Sequence, residues 1–118
     1  MEEPLGKRSL VLNIEDATTQ NPYFRRIIFT NKLQLSLMTI LPGKEIGEEI
    51  HEVDQFIRIE SGSGKAYIND NVYDIKKDFA ILIPAGSKHN IVNTDFIPLT
   101  LYTIYSSPVH PKGEIVLN

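Results

Sequence analysis

The chain contains no cysteine, which excludes disulfides and thiolate ligands together, so any bound metal must take nitrogen or oxygen donors. It has no run of basic residues longer than a pair, and 12 basic against 15 acidic residues leave a formal net charge of -3. Nucleic-acid binding is therefore unsupported. No apolar run approaches the roughly 20 residues that a membrane-crossing helix requires. Residues 1–8 form a polar N-terminal extension with Pro4 and Gly6 and lack the apolar stretch of a secretory signal. A cytoplasmic protein with no membrane partner is expected. Helical periodicity is also missing, because nowhere does the apolar spacing settle into a sustained 3.6-residue repeat.

What the chain does contain is short strands separated by turn residues. At 118 residues it has room for one domain with a single core. Residues 9–14 are a short β-prone run, and 15–23 are a polar connection, closed by Asn21-Pro22, with room for one helical turn. Strands follow at 24–29 and 33–41, then at 55–60, then in a hairpin of 65–69 with 72–75, then at 79–83, 89–93 and 97–105. In the second of these, Leu33, Leu35 and Leu37 share one face, expected to be core; Gln34, Ser36 and Met38 share the other, expected to face solvent. The continuous apolar run 79–83 reads as a strand buried on both sides. Many short strands at regular spacing predict an all-β sandwich or barrel. Residues 106–118 form a tail in which Pro108 and Pro111 flank His110, ahead of a last apolar run at 115–117.

Two of the three histidines follow turns beside β-rich segments. Glu49, His51 and Gln55 come after Pro42-Gly43, and His89 comes after Pro84-Ala85-Gly86-Ser87-Lys88. If the first stretch is extended, Glu49, His51 and Gln55 point to one side, and His89 can join them across a closed sheet. Imidazole nitrogens and carboxylate oxygen are ordinary ligands for divalent first-row metals, and an amide oxygen is a weaker one.

These residues carry a likeness to a known family. The pattern resembles the two signature motifs of the cupin superfamily, the first of which reads Gly-x5-His-x-His-x3 or x4-Glu-x6-Gly. Here Gly43 and Gly62 match its glycines, Glu49 stands at the first His, His51 at the second and Gln55 at the Glu. The second motif, Gly-x5-Pro-x-Gly-x2-His-x3-Asn, is met by Pro84, Gly86, His89 and Asn93, with Asp78 in place of its leading Gly. Along nearly its whole length the chain is similar to small cupins labelled mannose-6-phosphate isomerase-like, notably around Asp54-Gln55-Phe56 and at 101–105.

The resemblance implies a single-domain cupin over 1–118, a double-stranded β-helix or jelly-roll barrel. It also implies a divalent ion (Zn, Fe, Mn or Ni) held by Glu49, His51, Gln55 and His89. The single carboxylate has moved from the third ligand position to the first and Gln fills the vacated place, so the formal ligand charge is unchanged. The implied partners are a small polar ligand, such as a sugar, enol or acid, and a second copy in a homodimer. Three functions stay open: a non-haem metal dioxygenase, a zinc isomerase-like cupin, and a non-enzymatic binding cupin. A sugar-phosphate isomerase would need a cationic clamp, and only Lys88, Arg58 and the Arg25-Arg26 pair are at hand. No residue is assigned catalysis. Tyr102 and Tyr105 read as packing residues that could line a pocket, and His110 as a surface residue. Arg58 is expected to pair with an acid on the outside, and Asn93 to bond backbone.

Overall fold

The structure, a computed structural model, describes residues 1–109; His110 and the apolar run 115–117 lie outside the described residues. The alternating segments resolve into β2 (Arg25–Phe29), β3 (Gln34–Ile40), β4 (Gln55–Ser61), β5 (Ser63–Ile68), β6 (Asn71–Lys76), β7 (Ala80–Ile83), β8 (His89–Asn93) and β9 (Leu99–Tyr105). Before them come β1 (Glu2–Pro4) and a short helix, α1 (Ile14–Thr19). Strands order as β1-β2-β3-β9-β4-β7 in one sheet and β6-β5-β8 in the other. Their inner faces share a core of Met38, Ile40, Ile57, Ile59, Ala66, Ile75, Ile81, Ile83, Ile91, Leu99 and Leu101. Each fully buried aliphatic side chain there contributes about 1.5–3 kcal/mol.

Several expectations are corrected. The polar extension is partly a strand, because β1 pairs in parallel with β2 and Glu3 forms an ion pair with Arg26. Residues 9–13 form no strand; they lead into α1, whose N-cap Asn13 accepts from the Asp16 N–H at 3.0 Å. This is the single helical turn for which the polar connection had room. The helix rests against β3, β4 and β9. The mixed face of β3 turns inward, not to solvent: Gln34, Ser36 and Met38 are all buried. Burial is tolerated because Gln34 Nε2 donates to Ser36 Oγ at 2.8 Å and Gln34 Oε1 accepts from the Val109 N–H at 3.1 Å. The leucine face turns outward, where Leu33 is half exposed and Leu37 is buried on the side that α1 covers. In β7 only Ile81 and Ile83 are buried, while Leu82 is 73% exposed, since this is an edge strand with one face on the core.

Register divides the barrel interior by polarity. Gln34 lies opposite Tyr105, and Tyr105 opposite Gln55. Two residues further along, Ser36, Thr103 and Ile57 are aligned, and beyond them Met38, Leu101 and Ile59. Polar side chains thus gather at one end and aliphatic ones fill the other. Asn93 behaves as expected, donating to the carbonyls of Ile40 and Ile97 at 2.8 and 2.9 Å. Arg58 faces outward onto Asp78 at 2.9 Å.

One buried acid works against the fold. Glu60 sits at the β-bulge between Ile59 and Ser61, 6% exposed, and burial raises its carboxyl pKa above 4.5 despite the Arg58 guanidinium 3.5 Å away. A raised carboxyl costs stability once pH exceeds its folded value, and that cost vanishes below the unfolded value. Glu60→Gln should therefore melt higher than the parent at pH 7 and no higher at pH 4, as measured by thermal denaturation; equal melting at both pH values would contradict the assignment.

Candidate metal centre

The two motif stretches meet through the backbone. Residues 43–49 run antiparallel to β8, with Ile46 N–H donating to Ile91 O at 2.9 Å, and Glu49 and His89 exchange both of their N–H···O bonds at 2.8 and 2.9 Å. What reads in sequence as a loop before Glu49 is thus an irregular edge of the small sheet. In a directly opposed antiparallel pair the two side chains emerge on the same face, so Glu49 and His89 are neighbours by construction. His51 lies past the paired stretch and in no strand; it is anchored by the Gly86 N–H, which donates to His51 O at 2.8 Å. Gln55 opens β4 and arrives from the other sheet. The convergence therefore owes less to two-residue alternation along one strand than to a backbone pair, a turn and a second sheet.

One ligand atom from each of Glu49, His51 and His89 lies within 4.8 Å of the others. His51 Nε2 stands 3.7 Å from Glu49 Oε2 and the two imidazole centroids are 5.4 Å apart. His89 Nδ1 is 2.9 Å from Ser87 O; a carbonyl only accepts, so Nδ1 carries the proton and Nε2 presents its lone pair. Gln55 Nε2 donates to Thr103 Oγ1 at 2.9 Å and to the Tyr105 hydroxyl at 3.1 Å. Of the four buried side-chain atoms without a hydrogen-bond partner among the described residues, three belong to these side chains, His51 Nε2, His89 Nε2 and Gln55 Oε1, and the fourth is Arg58 Nε. Buried polar atoms are rarely left so. Two imidazole nitrogens, an amide oxygen and an adjacent carboxylate are a donor set that a divalent cation fits.

Electrostatics agree with that. Burial would raise the Glu49 carboxyl, but the neighbouring His51, Arg25 and His89 outweigh it and hold the group below its ordinary range. The carboxylate stays ionised at neutral pH. Arg25, which the sequence presented only as half of a basic pair, reaches this carboxylate with Nη2 at 3.6 Å from Oε2. The available signal was its place two residues before the buried Ile27 on one strand, which puts a charge on an inward face. Thr103 was likewise unforeseen. Of the two tyrosines, Tyr105 is buried with its ring edge-on to His51 at 5.1 Å, whereas Tyr102 packs on Phe56 at 6.2 Å on the other face.

Such a polar, imidazole-bearing end on an otherwise aliphatic β-barrel defines a small barrel with a possible metal site at Glu49, His51 and His89. The family model for the cupin domain matches residues 36–105, and the chain belongs to that family. Protein YrkC of Bacillus subtilis (strain 168), called uncharacterized, is 46% identical over an alignment 121 residues long that covers 93% of this chain and 63% of YrkC. The chain thus spans less than two thirds of that relative's length. Protein L612 of Acanthamoeba polyphaga mimivirus, also called uncharacterized, is 44% identical over 113 residues, covering 89% of this chain and 69% of L612. The crystal structure of BH2720 from Bacillus halodurans superposes with a TM-score of 0.86 at 44% identity, covering 92% of this chain and 88% of that one.

The departures from the family motif have local explanations. Asp78, where the motif has glycine, adopts φ +74°, a left-handed conformation that Asp and Asn tolerate better than other side chains. Gly62 keeps its glycine at φ +85°, where an added Cβ would lie 2.6 Å from Pro98 O.

Burial and the Glu49 charge push the Tyr105 phenol well above the usual tyrosine range. Alkaline titration followed by phenolate absorbance should show a late component that disappears in Tyr105→Phe; identical titration curves for parent and variant would contradict this environment.

Proposed function

We propose that this protein is a divalent-metal-binding cupin whose ion is held by Glu49, His51, Gln55 and His89 and which binds a small polar molecule at that ion. The observation that carries the reading is the pair of buried, partnerless imidazole nitrogens on His51 and His89, whose residues offer ligand atoms within 4.8 Å of one another and of the ionised Glu49 carboxylate, with Gln55 Oε1 a further buried atom left without a partner. Ser87 O and the Thr103–Tyr105 pair orient two of the donors, the kind of outer support on which metal affinity depends. A divalent ion there would supply Lewis-acid polarisation of a ligand oxygen, or oxygen chemistry if it is iron.

Of the two enzymatic alternatives, the sugar-phosphate isomerase is the less supported. Lys88 lies 3.4 Å from Glu48, Arg58 is on the outer face with Asp78, and Arg26 is paired with Glu3. Those three are engaged away from the donor cluster, and of the four candidate cations Arg25 alone meets it, at Glu49. The two-His-one-carboxylate subset of Glu49, His51 and His89 is the set associated with non-haem iron oxygenases. Elemental analysis of purified protein separates the readings: iron or manganese favours oxygen chemistry, and zinc favours Lewis-acid chemistry.

His51→Ala with His89→Ala should abolish stoichiometric metal uptake while leaving the β-rich circular dichroism spectrum intact. Metal retained at parent levels by the double variant would sink the assignment.

We further infer a homodimer formed through the outer face of the larger sheet. Ile28, Leu35, Ile104, Phe56 and Leu82 line up directly across β2, β3, β9, β4 and β7, making an apolar row that ends at the exposed Leu82. The row is buried at Ile28, part-buried at Leu35, Ile104 and Phe56 and open at Leu82, and apolar surface open at a sheet edge marks association sites. Leu82→Glu should shift sedimentation from dimer to monomer; a parent protein that sediments as a monomer contradicts the inference.

A further inference from the structure

Metal binding by Glu49, His51, Gln55 and His89 leaves Arg25 without a role. It stands on the inward face of β2 opposite Met38 and is 8% exposed. Its guanidinium makes no hydrogen bond among the described residues; its nearest anion is Glu49 Oε2 at 3.6 Å, beyond hydrogen-bond length, and its carbon lies 5.3 Å from the centre of the Phe24 ring. Its five N–H donors thus have no protein acceptor at hydrogen-bond distance, and none of its nitrogens is among the atoms sealed from solvent without a partner, so the fork is within reach of water and of a ligand. The imbalance grows once a divalent cation draws on Glu49. The charges acting on Glu49 are those of Arg25, His51 and His89, with no second carboxylate among them. Two charges on such an ion and one on Arg25, against the Glu49 carboxylate, leave an excess of positive charge that favours an incoming anion.

We propose that Arg25 is the receptor for a carboxylate on the ligand, so that the small molecule taken by this barrel is an organic acid and not a neutral sugar or polyol. The inference rests on the metal-binding reading of the site. A carboxylate suits the guanidinium because two of its N–H groups lie parallel in one plane and match the two oxygens, a geometry that a hydroxyl cannot use. Glu49 occupies the approach to Arg25 only at ion-pair distance, so the fork remains open to a better acceptor. Arg25 in this role is a binding and specificity residue; no bond is made or broken at it.

The test uses the full-length protein loaded with zinc, titrated separately with lactate and with propane-1,2-diol, its near-isostere without the carboxylate, and read by amide chemical-shift changes. Lactate should bind at least about tenfold more tightly than the diol, as expected for a charge-assisted hydrogen-bond pair. In Arg25→Met the preference should fall to about twofold or less, with zinc content unchanged by elemental analysis. Arg25→Lys, which keeps the charge without the planar fork, should retain only part of it, and this variant decides the matter if the Met variant does not fold. Equal binding of lactate and diol by the zinc-loaded parent overturns the proposal, as does an undiminished preference in the variants, or inorganic phosphate binding more tightly than lactate. A parent protein that takes up no zinc fails at the earlier step and removes the metal-binding reading along with this one.

Discussion

The backbone exchange between Glu49 and His89 is the constraint on which the site depends. Two N–H···O bonds of 2.8 and 2.9 Å set these residues directly opposite one another, and because opposed residues of an antiparallel pair share a face, a carboxylate and an imidazole become neighbours without any side-chain contact having to hold them. The same pairing closes the small sheet on the side away from β6, with Gly43 and Lys44 bonded to Asn93 at its far end. A second contact, Gly86 N–H to His51 O, then hangs the other imidazole beside the turn that precedes His89. Backbone bonds thus place both imidazoles and the carboxylate, and they are the part of a structure least sensitive to side-chain substitution.

The larger sheet contributes in a different way. Its registered rows pass from Gln34, Tyr105 and Gln55 at one end to Met38, Leu101 and Ile59 at the other. The aliphatic end provides most of the burial that stabilises the barrel, while the polar end is tolerated because its members bond one another: Gln34 to Ser36, and Gln55 to Thr103 and Tyr105. A polar group inside a protein is inexpensive only when its bonding capacity is met. His51 Nε2, His89 Nε2 and Gln55 Oε1 break that pattern, and the two histidines do so beside the Glu49 carboxylate. The two imidazole nitrogens belong to the possible three-residue metal site of Glu49, His51 and His89.

Placing the carboxylate at position 49 and an amide at position 55 has a consequence for the whole pocket. Glu49 faces β2 and so meets Arg25, whereas Gln55, deep in the row with Tyr105, presents an oxygen without bringing a buried charge into that row. The charged donor sits where a counter-charge is available and the neutral donor where none is.

Turn residues, two-residue alternation and the spacing of Gly43, His51, Gly62, Pro84, Gly86 and His89 were enough to read an all-β cupin barrel and to single out four candidate donors, three of which, Glu49, His51 and His89, the fold gathers, because these features are local: each depends on a few adjacent residues and on backbone conformations that particular side chains permit. Other features needed the fold. The direction faced by Gln34 and Ser36, the exposure of Leu82, the pairing of residues 43–49 with β8 and the approach of Arg25 to Glu49 all depend on which strands lie side by side. Alternation says which residues share a face but not which face is inside; that is settled by partners forty or more positions away, through hydrogen-bond register and the burial it imposes.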